Sequence, residues 1–197
     1  MTRIEEALRR IVADLERSSR SFALVGGFAV SARTEPRFTR DVDLVVAVPD
    51  DDAAEGLLEG LAGRGYVIVA AVEQIAAGRL ATARLASPAA SSEELIVDLL
   101  FASSGIEAEI AARAEPLEVL PGLVVPVARI GDLLAVKLLA RDDEARPLDA
   151  ADLRALRAVA GARDLALARD AAMLIEQRGY ARGRDLVAAL DALLARG

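Results

Sequence analysis

The spacing of apolar residues divides the chain into a mixed front part and a helical back part. Aliphatic residues at helical spacing predict a first helix over residues 4–15, with Thr2 and Glu5 in the pattern of a capping box. Short apolar runs between turn residues predict strands over 21–25, 42–48, 66–72, 80–86, 94–101, 117–120 and 123–127. Further helices are predicted over 28–33, 53–62, 106–114, 131–141, 149–160, 164–178 and 185–196.

This order of elements predicts an α+β fold. We expect a small mixed β-sheet flanked by helices, followed by a C-terminal helical bundle. Because no strand is predicted after residue 127, we divide the chain into a core domain, residues 1–128, and a C-terminal helical domain, residues 129–197. We expect the functional cleft to lie between the two.

Composition narrows the chemistry that the chain can perform. The absence of cysteine and histidine excludes disulfides, thiolate or imidazole metal ligands, and Ser–His–Asp triads. A net charge of −7 argues against generic nucleic-acid binding. The N-terminus lacks the pattern of a signal peptide, and the longest apolar run, residues 22–32, is too short to span a bilayer. We therefore expect a cytoplasmic protein without membrane contact.

A glycine pair and two acids stand at the edges of consecutive apolar runs. The pair Gly26-Gly27 closes the first run, and Asp41 and Asp43 interrupt the start of the second. Residues i and i+2 of a strand point to the same face, so the two carboxylates would project together. Buried carboxylates need a cation, which is either an arginine, Arg37 or Arg40, or a divalent metal ion.

A third acid, Asp98, interrupts the apolar run of a later predicted strand. If that strand neighbours the strand of Asp41 and Asp43, the three carboxylates can share Mg²⁺, which prefers oxygen ligands. A salt bridge is the alternative for Asp98. Because glycines lack β-carbons, the backbone amides of Gly26 and Gly27 can approach a phosphate at the start of the next helix. A plain turn is the alternative for that pair.

The order of these motifs resembles the nucleotidyltransferase superfamily of the DNA polymerase β type. The resemblance rests on Val25-Gly26-Gly27, on Asp41-Val42-Asp43 and on the lone Asp98. Many relatives have serine where this chain has Gly27. Only backbone atoms can contact phosphate at that position here.

A second resemblance, to the AbiEii/AbiGii branch of abortive-infection toxins, lies in the helical part. That branch has a lysine-bearing helix followed by an Asp-x-x-Asp-Leu segment. Here residues 130–140 carry Lys137, the single lysine of the chain, and residues 149–153 begin with Asp149 and contain Asp152. From the residues alone, Lys137 could instead be an ordinary residue on a helix surface, and Asp149 could instead be a helix N-cap. Asp152 is expected to be structural.

The resemblance implies transfer of a nucleoside monophosphate from an NTP to an acceptor hydroxyl with two Mg²⁺ ions, or with Mn²⁺ in their place. It assigns Asp41, Asp43 and Asp98 as metal ligands and catalytic acids, with Asp98 also helping to deprotonate the acceptor. It assigns nucleotide contacts to further positions, namely Gly26, Gly27, Arg40, Lys137 and Asp149. For Arg40, neutralisation of Asp41 and Asp43 is the alternative.

The toxin-like resemblance favours an RNA acceptor such as tRNA, with a neutralising antitoxin as protein partner. The alternatives are a nucleotidyltransferase that modifies an antibiotic or a protein, and a non-catalytic nucleotide-binding or antitoxin-like partner protein. A small basic cluster near the C-terminus, Arg178, Arg182 and Arg184, is expected to be a solvated turn, with contact to RNA phosphate as the alternative.

Overall fold

The protein folds around one mixed β-sheet, seen in a computed structural model that describes residues 2–75, 77–88, 95–141 and 147–195. Its strands are β1 (Phe22–Val25), β2 (Asp41–Val46), β3 (Val67–Gln74), β4 (Arg79–Ala86), β5 (Ile96–Leu100), β6 (Glu115–Leu120) and β7 (Leu123–Val127). Its helices are α1 (Arg3–Arg17), α2 (Gly26–Arg33), α3 (Asp51–Ala62), α4 (Glu107–Arg113), α5 (Ile130–Ala140), α6 (Pro147–Val159), α7 (Ala162–Gln177) and α8 (Leu186–Ala195). The predicted α+β class with C-terminal helices is confirmed.

The sheet has the strand order β3-β4-β5-β2-β1-β7-β6. At its centre, β2 pairs antiparallel with β1 and parallel with β5. Alternation along β2 buries Val42 and Leu44 completely on one face and leaves Asp41 and Asp43 on the other. Helices α1 and α4 pack against β2. The acids therefore lie on the sheet face opposite Val42 and Leu44.

The capping box predicted for the first helix is confirmed. The Thr2 backbone N–H donates to Glu5 Oε2 at 2.8 Å, and the Glu5 N–H donates to Thr2 Oγ1 at 3.4 Å. The helix then buries its aliphatic face, which includes Leu8, Ile11 and Leu15, in the core. Local sequence thus determines both the start and the orientation of α1.

Several predicted boundaries were wrong by one or two residues. The helix expected from Phe28 begins at Gly26, so the glycine pair forms its first turn. Gly26 has φ +62°, a conformation that glycine adopts at little cost, and this allows β1 to pass directly into α2. Strand β2 begins at Asp41 and ends at Val46 rather than running over 42–48. The predicted ends at residues 94 and 196 lie outside the described residues.

The C-terminal helices pack tightly on one another and on the front part of the chain. Helix α5 contacts α7 closely because Gly131 has no side chain: a β-carbon there would lie 2.5 Å from the Asp164 carbonyl oxygen. Helices α5 and α6 also contact α2, and one hydrophobic core includes residues from the sheet and from α5 to α8. The predicted division at residue 128 falls between β7 and α5 and stays a prediction. Among the described helices, none has the length and apolar character needed to cross a bilayer.

Candidate active site

Two of the three predicted acids are direct neighbours on the sheet. Asp43 on β2 stands opposite Asp98 on β5 in parallel register, so both side chains project from the same face. Asp41 lies two residues before Asp43 on that face. The expectation that the strand of Asp98 neighbours β2 is confirmed. We refer to Asp41, Asp43 and Asp98 as the acid cluster.

Arg84, which the sequence interpretation missed, binds the acid cluster directly. It lies on β4 opposite Asp98, donating from Nε to Oδ1 at 2.9 Å and from Nη2 to Oδ2 at 2.7 Å. This hydrogen bonding, joined by the charges of Asp41 and Asp43, raises the pKa of the Arg84 guanidinium although burial opposes the shift. One signal was present in the sequence: strand alternation puts Arg84 on the face opposite the buried Ala83 and Leu85.

The donor set of the acid cluster suits a hard divalent cation, because it consists of carboxylate oxygens alone. Within the described parts of the chain, however, no three acidic side chains are arranged to hold a metal ion together as they stand. Both oxygens of Asp98 accept hydrogen bonds from Arg84. The acids fit Mg²⁺ chemically, and Asp98 fits it once Arg84 releases a carboxylate oxygen. Their role as metal ligands stays a prediction.

The glycine pair brings the start of α2 against the acid cluster. A β-carbon on Gly26 would lie 2.7 Å from Asp43 Cβ and would collide with the carboxylate, so only glycine permits this approach. A β-carbon on Gly27 would lie 2.6 Å from Thr39 Oγ1. The partially positive N-terminus of α2 therefore lies beside Asp43, where a phosphate could also bind.

Lys137 is held by two acids of α6 and is not an ordinary surface residue. Its Nζ lies 2.7 Å from Asp149 Oδ1 and 2.8 Å from Asp152 Oδ2, and only 13% of its side chain is exposed. Helix α6 begins at Pro147, so Asp149 pairs with Lys137 instead of capping the helix. Asp149 Oδ2 is buried and has no hydrogen-bond partner among the described residues.

The guanidinium of Arg37 is bound to Asp152 on α6. It donates to both oxygens of Asp152, from Nε and Nη2 at 2.7 Å each. Arg40 is exposed, and its guanidinium lies 5.9 Å from the centre of the Phe38 ring. A nucleotide contact of Arg40 stays a prediction.

A cleft of about 410 Å³ between the sheet and α5 brings these parts together. Its wall includes Gly26, Asp43, Asp98, Arg84 and Lys137. Asp41, Gly27, Arg40 and Asp149 are not on that wall. The cleft therefore combines a helix N-terminus, two carboxylates and the three cations Arg84, Lys137 and Arg182, which are groups that can bind a nucleoside triphosphate and position an acceptor.

The basic cluster near the C-terminus lies in an exposed turn, as expected, and its arginines also bond to protein groups. Arg178 pairs with Glu109, and Arg184 donates to the carbonyl oxygens of Leu138 and Arg141 at the end of α5. Arg182 donates to the Ser103 carbonyl oxygen at 3.0 Å and also lines the cleft. These arginines fasten the turn between α7 and α8 to the rim of the cleft.

Three solved structures with the same fold are nucleotidyltransferases or a nucleotidyltransferase-like protein. The antibiotic-resistance factor ANT(2'')-Ia is 17% identical, with a TM-score of 0.56 over 98% of this chain and 97% of that chain. An antigenic nucleotidyltransferase-like protein from Paracoccidioides brasiliensis is 20% identical, with a TM-score of 0.54 over 96% and 92%. The lincomycin-bound lincosamide antibiotic adenylyltransferase LnuA is 16% identical, with a TM-score of 0.50 over 79% and 98%. At these identities the likeness shows the fold.

A comparison with curated protein sequences gives no match. The family model for "Nucleotidyl transferase AbiEii toxin, Type IV TA system" matches residues 6–195, almost the whole chain. This match takes in the acid cluster, the glycine pair and the Lys137 helix. The chain therefore belongs to the AbiEii nucleotidyl transferase toxin family and is a nucleotidyltransferase.

Proposed function

We propose that the protein transfers a nucleoside monophosphate from an NTP to a hydroxyl of RNA, in a Mg²⁺-dependent reaction within this cleft. One observation carries the proposal. Asp43 and Asp98 lie side by side at the start of α2, and Lys137 lines the same cleft. Two carboxylates, a helix N-terminus and a lysine are the groups that a triphosphate and its metal ions require.

The acids have distinct tasks in the proposed reaction. Asp41 and Asp43 hold metal, and Asp98 holds the second metal ion and accepts the proton of the acceptor hydroxyl. When bound, Mg²⁺ neutralises triphosphate charge and stabilises the attacking and leaving oxygens. The acceptor oxygen forms a bond to the α-phosphorus, the bond to the β-phosphate breaks, and pyrophosphate leaves.

The nucleotide is oriented by the residues around the acid cluster. The amides of Gly26 and Gly27 donate to phosphate oxygens at the N-terminus of α2. Lys137 adds a positive charge from α5, held in position by its contacts with α6. Asp149, which does not line the cleft, acts on the nucleotide by holding the Lys137 ammonium in place.

The charge of the cleft favours an anionic acceptor. Three cationic side chains line it, Arg84, Lys137 and Arg182, against the two carboxylates of Asp43 and Asp98. These cations suit the phosphates of an RNA backbone. We therefore favour RNA, such as a tRNA, over a small antibiotic.

The proposed setting follows from the family. Its members are described as toxins of type IV toxin–antitoxin systems, so we propose a toxin role that a cognate antitoxin counteracts. We place the protein in the cytoplasm, where NTPs and tRNA are both present. Loss of growth on expression, restored by co-expression of the antitoxin, would support this role; unaffected growth at high expression would contradict it.

Transfer of radiolabelled nucleotide tests the reaction. Purified protein is incubated with Mg²⁺, each α-labelled NTP and total tRNA. Asp43→Asn is expected to lower label incorporation at least about 100-fold, since an electrostatic group at the reacting phosphate is lost. Asp51→Asn is the matched control, because Asp51 pairs with Arg79 away from the cleft and its loss should leave transfer unchanged.

Each other outcome contradicts a defined part of the proposal. Equal incorporation by wild type and Asp43→Asn overturns the catalytic role of the acids, provided that circular dichroism shows both proteins folded. Label on an added aminoglycoside or lincosamide, with none on RNA, contradicts the proposal that RNA is the acceptor. Nucleotide binding by calorimetry without transfer to any acceptor points to a non-catalytic binding protein.

A further inference from the structure

We propose that Arg84 is a built-in counter-ion of the acid cluster that must release Asp98 before a metal ion can bind there. Divalent metal then binds weakly alone and tightly only together with a triphosphate. The inference rests on the proposed metal site at the acid cluster. Arg84 belongs to none of the sequence motifs, yet its release would regulate metal binding at that site.

The geometry makes Arg84 and a metal ion competitors for Asp98. The guanidinium occupies both oxygens of the carboxylate, at 2.9 and 2.7 Å. A cation at the same carboxylate would stand within a few ångströms of the guanidinium, where like charges in a partly buried site repel strongly. One of the two positive charges must therefore move away.

Exposure decides which partner moves. The Asp98 side chain is 11% exposed, and its strand β5 lies inside the sheet between β4 and β2. The Arg84 side chain is 47% exposed and lines the open cleft. Since arginine has a long side chain that remains hydrated when it swings outward, Arg84 is the partner that leaves.

A triphosphate gives the released guanidinium a new partner. Arg84 lines the same cleft as Gly26 and Lys137, which we assign to phosphate contacts. A guanidinium binds phosphate oxygens as well as it binds a carboxylate, often with two parallel hydrogen bonds. When Arg84 exchanges its bonds to Asp98 for bonds to phosphate, the metal ion and the nucleotide each strengthen the binding of the other. A metal ion that binds alone displaces Arg84 from Asp98 and gives the guanidinium no new partner.

Mn²⁺ binding measured by electron paramagnetic resonance tests this without any turnover. In wild type, a non-hydrolysable NTP is expected to tighten Mn²⁺ binding at least about tenfold. Arg84→Gln is expected to bind Mn²⁺ alone about tenfold more tightly than wild type and to lose most of the enhancement by nucleotide. Arg84→Lys, which keeps the charge but loses the two-pronged bond, should fall between them.

Arg79→Gln is the matched control, because Arg79 lies on the same strand but pairs with Asp51 outside the cleft. It should bind Mn²⁺ like wild type. Thermal unfolding checks that each variant is folded, and Arg84→Lys carries the test if Arg84→Gln does not fold.

Three outcomes distinguish failure of the inference from failure of the proposed function. If Asp43→Asn loses Mn²⁺ binding but Arg84→Gln and Arg84→Lys bind Mn²⁺ no more tightly than wild type, the metal site stands and the role of Arg84 is overturned. If Asp43→Asn binds Mn²⁺ like wild type, the metal site of the proposed function is itself wrong. If tighter binding appears in Arg79→Gln as well, general charge removal explains the effect and the inference is overturned.

Discussion

Replacing Asp152 with asparagine is expected to destabilise the protein by about 3 kcal/mol, because it removes the anion that two buried cationic contacts share. The Asp152 side chain is 1% exposed. It accepts two hydrogen bonds from Arg37 at 2.7 Å and lies 2.8 Å from Lys137 Nζ. The change keeps the size of the side chain, so packing is preserved, but it removes the charge and replaces one acceptor oxygen with an NH2 donor.

The expected loss of unfolding free energy depends on the contacts that Lys137 and Arg37 keep after the change. Removing one partner of a buried ion pair costs about 3–5 kcal/mol, since the remaining charge is left uncompensated. Lys137 still has Asp149 at 2.7 Å, and Arg37 is 25% exposed and still donates to the Phe38 carbonyl oxygen. Both cations are therefore partly compensated, which puts the expected loss at the lower end, about 3 kcal/mol.

Urea denaturation followed by circular dichroism measures this loss. With an m-value of about 2 kcal/mol/M, the midpoint should fall by about 1.5 M. The matched control is Asp191→Asn, because Arg169 and Asp191 form an exposed pair with side chains 42% and 54% accessible. Such a pair contributes at most about 1 kcal/mol. If Asp152→Asn shifts the midpoint no more than Asp191→Asn, the reasoning about the buried network is refuted.

Two further predictions concern packing and pH. Gly131→Ala should lower stability by about 1–3 kcal/mol, because its β-carbon would lie 2.5 Å from the Asp164 carbonyl oxygen. Gly60→Ala is the control: with open space around it, it should be neutral or stabilising by up to about 1 kcal/mol. Equal effects of the two changes in thermal melts would contradict the packing argument. Burial raises the pKa of Glu107 above its ordinary 4.5 despite hydrogen bonds from Ser104. Folding therefore favours the protonated form, and this stabilisation is present below pH 4.5 and is lost as pH rises through the raised pKa. The unfolding free energy of wild type should fall relative to Glu107→Gln over that range, and a pH-independent difference would exclude the effect.

Local sequence patterns were enough to predict most of the helices and strands. The period of apolar residues predicted the positions of the strands and helices to within a few residues, because burial of one face is what stabilises them. The capping box of Thr2 and Glu5 predicted where α1 begins. The helix start at Gly26 was missed because a positive φ depends on how the chain leaves β1, which residue identity alone does not determine.

The residues of the candidate site were likewise predicted from the sequence only in part. Strand alternation placed Asp41 and Asp43 on one face, and the order of motifs indicated that Asp98 would join them. Arg84 was missed because nothing in its own strand says that β4 lies next to β5. Strand order is decided by tertiary packing, and only that order puts a guanidinium opposite Asp98.

Short-range chemistry along the chain was sufficient to determine which segments become helices and strands, which face of β2 carries acids, and where α1 starts. Packing over long distances decided which charges meet. Arg37 and Asp152 lie 115 residues apart in sequence, and their contact exists only because α6 packs on α2 and α5. Electrostatic partners act over a few ångströms, so their identity depends on the folded arrangement and not on the local pattern of residues.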